Sequence, residues 1–150
     1  MLSNPLVFIA LLLIPSLQVL CFGVELDSLQ GKWESKFQDQ GRSLRVLKTI
    51  EKNKETVETY EGNRLVHRHV VELEEKQAEG ITVMHYGPSE ITHGPRKGQS
   101  GMPGSFISKR FGNTWYNVQG LETDGEMPLT VMLFKRVEET QSPPTDDAGK

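Results

Sequence analysis

Residues 64–74, Arg-Leu-Val-His-Arg-His-Val-Val-Glu-Leu-Glu, constrain the fold more than any other stretch of the chain. Leu65, His67, His69, Val71 and Leu73 fall on one face, and Arg64, Val66, Arg68, Val70 and Glu72 on the other. A period of two is that of a β-strand, whose successive side chains point to opposite sides of a sheet. Shorter segments of the same kind surround it at 43–51, 56–60, 81–86, 105–111, 114–118 and 129–137. Turn residues stand between them, at Lys52-Asn53-Lys54, Gly62-Asn63, Glu79-Gly80, Gly112-Asn113 and Asp124-Gly125, and glycine and asparagine tolerate the positive φ that tight hairpins require. With an opening strand at Gly31, about eight strands follow one another, and helix periodicity is nearly absent.

Consecutive hairpins predict an all-β domain, a single antiparallel up-and-down β-barrel that removes free sheet edges by closing on itself. A two-sheet sandwich satisfies the same strand count, but its Greek-key crossings are longer than these connections. One irregular segment breaks the rhythm. Residues 87–104 carry glycine at 87, 94, 98, 101 and 104 and proline at 88, 95 and 103. Loops of that length are uncommon in compact domains and often serve function or motion.

Residues 6–20 are mostly Leu, Ile, Val, Phe and Ala, broken by Pro15, Ser16 and Gln18, and lead into Cys21-Phe22-Gly23. The run matches the apolar region of an export signal and falls short of a membrane-crossing helix. Residues 1–23 are therefore expected to be a signal peptide, 24–139 the barrel domain and 140–150 a solvated tail rich in Pro and Asp. The protein is accordingly expected to be secreted or periplasmic, with no stable membrane insertion after cleavage. An uncleaved anchor is the alternative. Lipidation of Cys21 fits less well, because Val19 and Leu20 stand where small residues belong. Cys21 is the sole cysteine, so a mature chain has no disulfide and must rely on its core. The net charge of −3 excludes the dominant basic face that sequence-independent nucleic-acid binding needs.

Leu29-Gln30-Gly31-Lys32-Trp33 near the start of the domain and Leu133-Phe134-Lys135-Arg136-Val137 at its end carry a family resemblance. The pair is similar to small exported lipocalin-like (calycin) proteins of bacteria, especially planctomycetes, that open Leu-Gln-Gly-x-Trp and end near Leu-Lys-Arg. The resemblance implies a barrel with Trp33 at its closed end and Arg136 packed over the indole, with Gly31, Trp33 and Arg136 as a structural signature. It also implies a cup for a small apolar or amphipathic ligand. Candidates for lining it are Leu44, Val46, Leu65, Val71, Val83, Phe106, Tyr116 and Met132. An interior packed solid is the competing expectation.

His67 and His69 share a strand face, His85 stands on a neighbouring segment and His93 in the long loop. Three converging imidazoles would hold zinc with an open position for water, although His-x-His pairs are common on half-exposed strands. Other catalytic patterns are missing: Ser100 lacks the Gly-x-Ser-x-Gly spacing, and Gly94-Pro95-Arg96-Lys97-Gly98 is no Walker loop. Three functions follow from these features. The first is a non-enzymatic binding protein needing no cofactor, with Leu65, His67, His69, Val71, Val83, His85, Phe106 and Tyr116 against its ligand and the cavity opening beside residues 87–104. The second is an interaction or inhibitor module whose protein partner is unspecified. The third is a metal-dependent enzyme, which requires His67, His69 and His85 to converge.

Overall fold

The computed structural model describes residues 24–120 and 129–138. The expected signal peptide, the tail and the Asp124-Gly125 turn lie outside the described residues. A single helical turn, α1 (Val24–Ser28), leads into nine strands: β1 (Gly31–Asp39), β2 (Arg42–Glu51), β3 (Lys54–Glu61), β4 (Arg64–Ala78), β5 (Ile81–Tyr86), β6 (Glu90–His93), β7 (Gly104–Phe111), β8 (Thr114–Gln119) and β9 (Thr130–Arg136). Every pairing is antiparallel. Eight strands close into a barrel in the order β1-β2-β3-β4-β5-β7-β8-β9, and β9 returns to β1 through Trp33↔Arg136 and Glu34↔Lys135.

The ninth strand corrects the expectation of one irregular segment at 87–104. Strand β4 is long enough to pair with β5 through Leu73–Ala78 and then with β6 through Arg68–Val70. β5 and β6 thus behave as one strand broken at Gly87-Pro88-Ser89, where proline removes a ladder donor. Residues 98–101 then fold back along β6 through Gly98 N to Ile91 O, Ile91 N to Gln99 O and Gly101 N to Ser89 O. The result is a hydrogen-bonded strap across one end of the barrel.

The other end is closed. α1 and Leu29 cover it, the Trp33 indole N–H donates to Leu29 O at 2.6 Å, and Arg110 donates to Ser28 O at 2.6 Å. Arg136 donates to Gln30 O at 2.6 Å while its guanidinium lies 5.1 Å from the centre of the Trp33 ring. Gly31, at φ +105°, is what admits that guanidinium, because a Cβ there would stand 3.1 Å from Arg136 Nη2. Above this plug Trp33, Phe106, Trp115 and Phe134 pack ring to ring at 5.1–6.1 Å and fill the lower barrel. An eight-stranded barrel is only wide enough to be filled or to hold one small ligand. This one does both, aromatic below and hollow above.

Candidate functional site

The hollow is a cavity of about 920 Å³ that opens toward the strap, where Arg96 and residues 100–104 line it. That volume lies within the range of small-molecule sites. Its principal wall is built by β2, β3, β4 and β6, whose registers align the inward residues in rows. Nearest the mouth stand Val46, Thr59 and His67; next come Lys48, Val57, His69 and Ile91; deepest are Ile50, Glu55 and Val71. Phe106 and Met132 line the cavity from β7 and β9.

Of the residues expected to line a cup, Val46, His67, His69, Val71, Phe106 and Met132 line this cavity. Leu44 and Leu65 border a separate, smaller hollow of about 350 Å³ near the turns at that end, together with Arg42, Arg64 and His93. Three candidates are corrected. On β5 the buried residues are Thr82 and Met84, so Val83 and His85 alternate onto the outer face, His85 opposite Glu74. Tyr116, between buried Trp115 and Asn117, points outward and meets Phe111 edge to face at 5.8 Å. A strand's period of two allows no other outcome once its neighbours are buried. The His67-His69-His85 convergence that a metal-dependent enzyme would require is therefore not formed, and among the described residues no group of three or more His, Cys, Asp or Glu is placed to hold a metal ion.

His67 and His69 do meet. Their Nε2 and Nδ1 atoms are 3.0 Å apart and their rings 5.1 Å. Burial, then the charge of Arg96, lowers the His67 pKa; burial, His67 and the Lys48 and Arg96 cations push that of His69 down to about 4. Both imidazoles are neutral at neutral pH, so one donates to the other. Either choice of donor leaves one ring N–H of the pair free to bond elsewhere: His69 Nε2–H if His67 donates, His67 Nδ1–H if His69 donates. His67 Nδ1 faces the strap, 3.5 Å from where a Cβ on Gly94 would stand.

Beside His69 and in the row beneath it lies a feature that the strand pattern concealed. Lys48 Nζ pairs with Glu55 Oε1 at 3.0 Å, and both side chains are about 95% buried. The ammonium also stands 4.8 Å from the Trp115 ring centre and 5.1 Å from those of Phe106 and Phe134. Three electron-rich faces and a carboxylate compensate a desolvated cation well. Glu55 Oε2 and both amide atoms of Asn117 are buried without a hydrogen-bond partner among the described residues. Sequence reasoning passed over Lys48, Glu55, Val57 and Ile91, and met Arg96 only within the segment Gly94-Pro95-Arg96-Lys97-Gly98. For the first two a signal existed: Lys48 is in phase with Val46 and Ile50, and Glu55 with Val57, so each charge sits where an apolar face requires otherwise.

Family models, curated proteins and solved structures were compared with the chain, and none matches it.

Proposed function

We propose that the protein binds one small amphipathic molecule in the upper barrel and does no chemistry on it. The observation that carries this reading is the cavity of about 920 Å³, open at the strap and walled by Val57, Val71, Ile91 and Met132 beside the polar His67-His69 pair. Apolar walls with a few convergent polar groups are the usual make-up of ligand sites. A metal-assisted reaction lacks support, since His85 stands on the far side of β5. The same reading includes export, supported by the apolar run at 6–20, with the ligand met outside the cytoplasm.

Native mass spectrometry of protein recovered from its own host tests the proposal, paired with a Met132→Trp variant. Met132 is partly exposed and lines the cavity, so an indole there fills space without displacing the core. A copurifying small molecule that disappears in the variant is the expected result. Bare chain in both samples, with no uptake of added amphiphiles, would overturn it. The second reading, a protein-interaction module, is favoured by one observation: Phe111, Val131, Leu133 and Tyr116 form an exposed apolar strip on the outer face of β7 to β9, at 63%, 56%, 49% and 38% exposure.

A further inference from the structure

Resting on the cavity reading, we propose that the ligand is an amphipathic carboxylate bound head-out. Arg96 and the free ring N–H of the His67-His69 pair hold its anionic group at the mouth, and its tail lies against Val57, Val71, Ile91 and Met132. The inference starts from charge. Among the described residues, three formally charged side chains line the cavity: Lys48, Glu55 and Arg96. The first two neutralise each other at 3.0 Å. Arg96 pairs with no carboxylate among the described residues, so the surplus is one positive charge, and it stands at the opening.

The chain as a whole carries −3, so the described lining of the mouth has the opposite sign to the molecule. A cleft with low-dielectric walls focuses such a field onto an entering anion. Arg96 acts on this very spot, since its charge reaches both imidazoles. Its position is fixed by the strap: Lys97 N bonds to Gly94 O and Gln99 N to Arg96 O, which turns residues 94–99 back over β6. A guanidinium beside an imidazole N–H offers a carboxylate charge-assisted bonds from two directions.

Orientation follows from the floor. The deepest polar group is the Glu55 carboxylate, one row below Lys48, and its Oε2 lacks a partner. An anionic head sent downward would reach a Lys48 ammonium already engaged by Glu55 at 3.0 Å and by three ring faces, and beside it the unpartnered Glu55 Oε2 that repels it, whereas an alkyl tail meets Val71 and Phe106. A cationic head fares worse at the mouth, where Arg96 repels it.

Titration of the full chain with decanoate, decan-1-ol and decylammonium at neutral pH and low salt, followed by tryptophan fluorescence, tests the inference. Decanoate is expected to bind about tenfold more tightly than decanol, the worth of one charge-assisted hydrogen bond, and decylammonium more weakly than either. Arg96→Met should cost decanoate about that same factor and leave decanol unchanged, and Met132→Trp should block all three. If decanol binds, Met132→Trp blocks it and decanoate gains nothing from Arg96, the head-group inference is overturned while the cavity reading stands. If no probe binds the wild-type chain, both fall together.

Discussion

Lys48→Met tests the central physical claim about this interior, that a buried cation is held jointly by one carboxylate and three rings. The substitution keeps length and apolar contact but leaves the Glu55 carboxylate about 95% buried with neither oxygen bonded, since Oε2 has no partner already. Breaking a buried pair from one side costs about 3–5 kcal/mol. Glu55→Leu should cost less. The ammonium it strands still lies 4.8–5.1 Å from three ring centres, and a desolvated contact of this kind is worth about 2 kcal/mol. The double variant Lys48→Met/Glu55→Leu removes both charges and should fall within about 1 kcal/mol of wild type. Urea unfolding, followed by far-ultraviolet circular dichroism and tryptophan fluorescence, reads all four corners of the cycle. For a domain of this size the Lys48→Met deficit corresponds to a fall in Tm of at least about 12 °C. Single variants within about 1 kcal/mol of wild type, or a double variant as unstable as the two losses added, would refute the pairing as described.

Two further outcomes follow from the geometry. His69 releases its proton near pH 4 in the folded chain against an ordinary 6.5, so between those values the unfolded chain holds more protons and stability declines as pH falls, with the loss complete below about 4. His69→Asn should flatten that part of the profile relative to wild type in urea midpoints taken across the acid range, and parallel profiles would count against a buried neutral imidazole. Gly31→Ala forces a Cβ to 3.1 Å from Arg136 Nη2 at φ +105°, which should cost about 1–3 kcal/mol; an unchanged thermal midpoint would show that the closed end does not depend on this approach.

The strands were legible because burial on one face imposes a period of two, and the hairpins because Gly62 and Gly112 stand where φ is positive. The long strand reads through to Ala78 rather than to residue 74, since its last residues pair with β5 along one edge and need no apolar face to do so. Residues 43–51 alternate poorly, with Leu44, Val46 and Thr49 as their apparent pattern, for a reason visible only in the barrel. Lys48 occupies the inner face between Val46 and Ile50, and Thr49 faces out. An imperfect alternation that looks like noise is a buried charge.

Sequence by itself determined the class of fold: local propensity, turn chemistry and face alternation each depend on near neighbours, and they agree on a meander of antiparallel strands. The meeting of the first and last strands through Gly31, Trp33 and Arg136 was expected only from the resemblance of the opening and closing motifs; the barrel supplies its reason, since a Cβ at Gly31 would crowd the guanidinium that lies over the indole. Tertiary structure alone decided which side chains share a row. Register across β2, β3, β4 and β6 sets Lys48, His69 and Ile91 side by side and sends His85 to the opposite face. A shift of one residue exchanges the two faces of a strand, and no local signal fixes that choice across strands far apart in sequence. The cavity, its polar wall and the cation at its mouth exist only once the barrel closes.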